Sequence, residues 1–303
     1  MWGAIYDLRA PEGVRVARRP KPRGVVVRVV AAGMNPVDAK FVVGDKISCC
    51  AERIANGHGV GFDFSGVTES GDAVFGILGP FQGSVSEFVR ISPSQVAPKP
   101  KSLSFVEAAA LPVCGLTSLA LRGERVLVIG ASGGVGHLAV QVAVARGAAV
   151  TGISSSRNSE FVKSLGATPV AYDGNDFHLE GPFDAVLDTV HSSDPRDCDY
   201  REIVRGARYV TTGGHFSDWF KAGVKKLTGI SLFPKDRELF WIDPFRAANG
   251  LRELADLADT RGLKPHVSEV LPFTDEGLRA AFKQLRSRRT VGKIVIQVSD
   301  PRS

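Results

Sequence analysis

What the chain lacks narrows it first. It has only four cysteines, Cys49, Cys50, Cys114 and Cys198, and none stands at a metal-ligand spacing. Adjacent Cys49 and Cys50 would close a strained bridge at best, so all four read as reduced thiols and no oxidising compartment is implied. No apolar run approaches the roughly 20 residues that span a bilayer, which argues against an integral membrane protein. No repeat period and no low-complexity tract appear, which excludes a solenoid and a disordered linker protein. The opening Met1-Trp2-Gly3-Ala4-Ile5-Tyr6 reads directly as a strand, with no charged and then apolar leader. The expected compartment is the cytoplasm, or the interior of a mitochondrion or plastid if a transit peptide has been removed.

What is present is the composition of a folded protein: 303 residues, 44% hydrophobic and 23% charged. At roughly 150 residues per domain, two domains are expected. The net charge of +6 fits diffuse surface charge, attraction of an anionic ligand, or nucleic-acid binding. The densest basic stretch, Arg15 to Arg23, is broken by prolines and has no interleaved aromatics, which argues against nucleic acid.

The first third is rich in strand-like runs: Val25 to Val30, Asp63 to Val67, Ala73 to Ile77 and Val85 to Ile91, with glycine turns between them. They predict an antiparallel, barrel-like unit. Pro98, Pro100 and Ser102 then make a loop, after which Ser104 and Glu107 form a capping box for a helix. At Arg125 the texture changes. Val126 to Ile129 is a short apolar run without alternation, as in a parallel strand buried on both faces. A helix over Val135 to Arg146, a strand over Val150 to Ile153, a helix over Ser159 to Leu165 and strands at Phe183 to Asp188 and Tyr209 to Thr212 continue the alternation. That pattern predicts a doubly wound parallel sheet, hence an α/β protein. Beyond residue 246, helices around Leu251 to Ala258 and Glu276 to Leu285 and a strand from Lys293 to Val298 are expected to return to the first domain.

The chemistry is concentrated in Gly130-Ala131-Ser132-Gly133-Gly134-Val135-Gly136. It follows a buried strand and opens a helix, the context in which a glycine-rich turn brings backbone N–H groups to a pyrophosphate. Ala131 replaces the usual first glycine. The following strand ends in Ile153-Ser154-Ser155-Ser156-Arg157, with no carboxylate for the ribose hydroxyls of NAD. Ser154, Ser155 and Arg157 suit a 2′-phosphate, so NADPH is the expected cofactor; an ordinary serine-rich cap is the bland alternative. Tyr172 is placed at the adenine end or at the surface, and Asp188, Gly213 and Lys293 complete the expected cofactor contacts.

Taken in order, Ala32-Gly33-Met34-Asn35-Pro36-Val37-Asp38, Phe64-Ser65-Gly66-Val67, Ala109-Ala110-Leu111-Pro112-Val113, the glycine turn and Gly292-Lys293-Ile294-Val295 resemble the medium-chain dehydrogenase/reductase superfamily. The branch they are most similar to is the zinc-free quinone oxidoreductases. The resemblance covers nearly the whole chain. It implies a GroES-like β-barrel catalytic domain (1–118 and 247–303), a Rossmann NADPH-binding domain (119–246) and an active-site cleft between them. The zinc-ligand positions of metal-dependent relatives fall at Asn35, Phe62 and Val113, none a competent ligand, and the four-cysteine structural lobe is missing. The resemblance makes Asn35 the hydrogen-bond donor near the substrate, with Asp38 and Lys40 in support; Asp38 serves equally well as a turn-forming carboxylate. Asp45 stands where relatives often carry a tyrosine.

The leading expectation is hydride transfer from NADPH to a quinone or an α,β-unsaturated carbonyl. The alternative is an NADPH-binding protein with a structural or assembly role in a larger complex and little turnover. The aromatic stretch from Phe216 to Trp241 reads as substrate wall and homodimer edge, or as an interface for that complex.

Overall fold

A computed structural model describes residues 1–42, 49–174, 179–190, 206–213, 221–225, 228–233, 237–240 and 242–300. The chain divides into two units, Met1–Leu116 with Asp243–Ser303, and Thr117–Ile242.

In the first unit β1 (Trp2–Tyr6) and β2 (Val14–Arg18) form an antiparallel pair, Trp2 opposite Arg18 and Tyr6 opposite Val14. β2 runs into the basic stretch, with Val14 and Ala17 buried and Arg15 and Arg18 exposed, so charge hid a strand of otherwise ordinary pattern. Long β3 (Val26–Met34) pairs antiparallel with β4 (Asp63–Thr68), β4 with β5 (Ala73–Ile77), and β3 also with short β6 (Phe88–Arg90). The expected strand from Val85 shortens to β6 because Ser86 bridges to Gly3 instead. β7 (Val96–Pro98) adds to β5. α1 (Pro36–Lys40), α2 (Cys49–Ala55), α3 (Phe105–Ala109) and α4 (Pro112–Ser118) punctuate the strands. The capping box of α3 forms as expected: Ser104 Oγ accepts the Glu107 N–H at 3.2 Å and Glu107 Oε2 accepts the Ser104 N–H at 2.8 Å.

The second unit is a parallel sheet of β8 (Arg125–Ile129), β9 (Ala149–Ser154), β10 (Thr168–Ala171), β11 (Ala185–Asp188), β12 (Arg208–Thr211) and β13 (Arg237–Leu239), in the order β10-β9-β8-β11-β12-β13. Val126 and Val128 pack on one face with α5 (Gly136–Ala145), while Leu127 and Ile129 pack on the other. Both faces of β8 are therefore buried, the physical reason its sequence shows no alternation. α6 (Ser159–Ser164) follows β9.

The tail, α7 (Ala248–Arg261), β14 (Val267–Pro272), α8 (Asp275–Ser287) and β15 (Lys293–Gln297), belongs to the first unit. β15 pairs antiparallel with β3, Ile294 opposite Met34, and parallel with β14. The architecture is thus α/β, a mainly antiparallel GroES-like sheet joined to a doubly wound parallel one. Among the described residues no helix is long and apolar enough to cross a membrane.

Candidate active site

All strands of the second sheet run in parallel, so their C-terminal ends lie on one edge, and the cofactor residues read from that part of the sequence gather there. Gly130 leaves β8 at φ 82°, and its N–H and that of Ala131 both donate to the Ile153 carbonyl at 2.9 Å, tying the turn to the end of β9. Gly136 opens α5 where a Cβ would stand 2.1 Å from the Gly130 carbonyl oxygen, so only glycine lets helix and strand approach this closely. The N–H groups of Ser132, Gly134 and Val135 have no partner among the described residues. Unpartnered donors at the start of a helix, in a turn of small residues, are the chemistry a dinucleotide pyrophosphate requires. The residues fit that group.

Beside this turn, Ser154 is buried and its Oγ donates to the Ser155 carbonyl at 3.2 Å, while Ser155 is nearly buried and Arg157 is exposed. The Tyr172 N–H donates to the Ser154 carbonyl at 3.0 Å, and the Tyr172 ring is exposed. The next residue is one the sequence reading missed. Asp173 accepts the Ser156 N–H on Oδ1 at 2.7 Å and the Ser156 hydroxyl on Oδ2 at 3.4 Å. The β9 loop has no carboxylate of its own, but β10 delivers one to it. Asp188 closes β11 with both oxygens engaged, by Tyr209 Oη at 2.7 Å and by the Val190 N–H at 3.0 Å. Gly213 is buried just past β12, its N–H donating to Thr211 Oγ1 at 3.3 Å.

The first unit holds a different arrangement. Pro36 starts α1 and keeps Asn35 extended, at φ −130° and ψ 152°, as a residue before proline prefers. The Asn35 N–H donates to Asp38 Oδ2 at 2.8 Å, and the Asp38 N–H donates back to the Asn35 carbonyl at 2.9 Å. The Asn35 side chain is 2% exposed; its Nδ2 donates to Asp63 Oδ2 at 2.9 Å. Lys293 Nζ donates to Asn35 Oδ1 at 2.6 Å, to the Met34 carbonyl at 2.8 Å and to Asp63 Oδ2 at 3.3 Å. Asp63 Oδ1 accepts the Val113 N–H at 2.9 Å, and Cys114 Sγ donates to Asn35 Oδ1 at 3.7 Å. This is a buried polar hub.

Asn35 and Asp38, three residues apart, therefore meet Lys293 from the far end of the sequence in one place. An ammonium has three N–H donors, and those of Lys293 all find acceptors inside the hub. Asn35 keeps one amide N–H beyond the one given to Asp63. Lys40 is exposed at the end of α1. Asp63 and Cys114 are the hub members the sequence reading did not assign a role; Asp63 stood in view as the first residue of a strand.

Burial governs the charges here. It pushes the Asp38 carboxyl up to about 7, against the Asn35 N–H and with the Asp63 charge. Asp38 Oδ1 is buried with no hydrogen-bond partner among the described residues. Burial also raises Asp63, opposed by the Lys293 ammonium, and holds the Tyr6 phenol, which lies beside Asp38, well above its ordinary range. Burial disfavours the Lys293 charge, but the acidic groups around it, Cys114 and Asp63 foremost, outweigh that and hold it above the usual lysine range. Cys114 is pushed up to about 11 by burial, so it is a thiol at neutral pH and neither a nucleophile nor a metal ligand in that state. Among the described residues no three His, Cys, Asp or Glu side chains form a metal-binding group. His58 is exposed, its ring 5.7 Å from that of Phe81.

Asp45, Cys198, Phe216, Trp219, Phe220 and Trp241 lie outside the described residues. Of the rest of that aromatic stretch, Phe233 is buried with Ala222 and Leu239, and Leu232 is exposed.

Residues 165–296 match the family model described as zinc-binding dehydrogenase. Over 327 residues the chain is 32% identical to the mitochondrial NAD(P)H oxidoreductase RTN4IP1 of Homo sapiens, with 91% of this chain and 82% of that protein covered. Over 325 residues it is 32% identical to the 2-methylene-furan-3-one reductase of Solanum lycopersicum, covering 97% of this chain and 76% of that one. Among solved structures, the quinone oxidoreductase from Coxiella burnetii superposes with a TM-score of 0.79 at 27% identity, covering 98% of each chain.

Proposed function

The chain belongs to the medium-chain dehydrogenase/reductase superfamily, and on that footing we propose that it transfers hydride from NADPH to a quinone or an α,β-unsaturated carbonyl without zinc. The observation that carries the reading is the turn from Gly130 to Gly136, whose unpartnered N–H groups sit beside a loop bearing Ser155 and an exposed Arg157. The similarity to an NAD(P)H oxidoreductase, a furanone reductase and a quinone oxidoreductase supports the reaction class.

Bound NADPH supplies the hydride; the protein supplies binding, orientation and electrostatics. Ser132, Gly134 and Val135 hold the pyrophosphate with backbone N–H groups, with Asp188 and Gly213 shaping the same edge. Ser155 and Arg157 hold the 2′-phosphate, with the buried Ser154 behind them donating its hydroxyl to the Ser155 carbonyl, and with Tyr172 beside the adenine. The remaining amide N–H of Asn35 donates to the substrate oxygen as negative charge grows on it. Asp38 fixes the backbone of Asn35, and Lys293 and Asp63 fix its amide. Lys40 adds positive charge near the end of α1.

The test is a screen of NADPH oxidation over simple quinones and enals, with and without a chelator. Steady turnover with at least one acceptor, unchanged by chelation, is the expected result. Tight NADPH binding with no turnover on any acceptor would point instead to a structural or assembly role. Loss of turnover on chelation would overturn the zinc-free part.

A further inference from the structure

Asp173 follows β10, and the Tyr172 N–H to Ser154 carbonyl bond of 3.0 Å carries the β9–β10 ladder one residue past the end of β10. That register brings the Asp173 carboxylate against the loop after β9, where one oxygen takes the Ser156 N–H at 2.7 Å and the other faces the Ser156 hydroxyl at 3.4 Å. In a sheet of this kind the loop after the second strand distinguishes the two nicotinamide cofactors, because the adenosine ribose reaches it there. A backbone N–H and a serine hydroxyl are donors a 2′-phosphate seeks. In this chain an internal anion already holds them.

We infer that Asp173 is a specificity-determining residue, a carboxylate that competes with the cofactor 2′-phosphate for the Ser156 donors and so narrows the preference for NADPH over NADH. The inference rests on the dinucleotide reading given above. Two negative groups do not share one pair of donors at close range, so NADPH binding displaces Asp173 from Ser156 and leaves Arg157 as the phosphate's cation. Arg157 is exposed and has no partner among the described residues. The free ribose hydroxyls of NADH are donors as well as acceptors, and a carboxylate is a favourable neighbour for them. The same residue therefore disfavours one cofactor and favours the other. A relative with no acid after its third strand carries no such brake.

The experiment is fluorescence titration of the full chain with NADPH and with NADH, for the parent protein and for Asp173→Asn and Asp173→Ala. Asp173 is exposed, so both variants retain the fold, which their melting temperatures check. The ratio of NADPH to NADH affinity is expected to rise about tenfold in both variants, the scale of one charge-assisted contact regained. An unchanged ratio in both variants, with both cofactors still binding, overturns the inference and leaves the dinucleotide reading standing. A parent protein that prefers NADH, with a ratio that still rises in the variants, supports the inference while overturning the NADPH assignment. Failure of the parent protein to bind either cofactor overturns both.

Discussion

The two candidate regions treat hydrogen-bond donors in opposite ways. In the hub of the first unit the Lys293 ammonium, the Asp63 carboxylate and one N–H of the Asn35 amide are matched to one another. On the edge of the second sheet the backbone donors of Ser132, Gly134 and Val135 have no partner among the described residues. A network matched mostly from within fixes side-chain positions in a low-dielectric interior; an open set of oriented donors selects a ligand. Mutations in the hub should therefore register as stability, and mutations on the edge as affinity.

The largest effect is expected at Lys293. Lys293→Met removes the cation of the hub and leaves Asp38 and Asp63 buried without it, a situation that costs about 3–5 kcal/mol. Urea denaturation of parent and variant measures it. A loss within about 1 kcal/mol would mean that the hub is not held by charge, and the contrast with the nucleotide edge would dissolve.

Asp38 comes next, and its signature is a slope with pH. The folded carboxyl holds its proton up to about 7, against an ordinary value of 3.8. Between those limits the folded chain binds more protons than the unfolded one, so stability falls as pH rises through that window. The full penalty, present above the folded value, is roughly 4 kcal/mol at most. Asp38→Asn keeps an oxygen to accept the Asn35 N–H and removes the titrating group. The variant should gain on the parent as pH rises from about 4 to above 7, read from denaturant midpoints at the two ends. A gain that does not vary with pH would place the proton elsewhere.

These two sites also show how much the sequence revealed. The glycine turn was legible because small residues there answer a local demand, the approach of Gly136 to the Gly130 carbonyl. Parallel strands buried on both faces announced themselves as unbroken apolar runs. The hub was not legible, because Lys293 and Asp63 lie 230 positions apart and only the pairing of β15 and β4 with β3 brings them together. The residues of the hub are visible singly, and nothing in the sequence next to Lys293 names its partners. Asp173 was missed for a related reason: the loop after β9 was read along the chain, and the carboxylate arrives from the neighbouring strand. β14 escaped notice because most of its residues are exposed and no alternation marks it.

Asn35 tests whether the hub is scaffold alone. Its amide is anchored at one N–H and at the oxygen, and the second N–H is the proposed donor to the substrate oxygen. Loss of one such donor lowers turnover about 100- to 1000-fold, close to 2.7–4 kcal/mol. Asn35→Ala should lower kcat by that order with the Kd for NADPH unchanged, since the nucleotide edge belongs to the other unit. Parent-like turnover with the best acceptor would reduce Asn35 to a structural residue and leave the two regions as pure scaffold and pure binding site.

The smallest effect is expected at Arg157, and it sharpens the comparison from the binding side. Its guanidinium is exposed, so Arg157→Ala should leave the urea midpoint where it was, unlike any change in the hub. A charge-assisted contact to a 2′-phosphate contributes about 1.5–3 kcal/mol, or roughly tenfold to a hundredfold in affinity. Two features of the site place the loss near the lower figure. Salt screens an exposed cation over about 8–10 Å, and the phosphate must already contend with Asp173 for Ser156. Titration with NADPH should show that weakening, growing as ionic strength falls, while NADH binding stays at the parent value because its ribose offers no phosphate to pair. Equal losses for both cofactors would place Arg157 on a part of the nucleotide they share and remove the basis for reading the loop after β9 as the phosphate site.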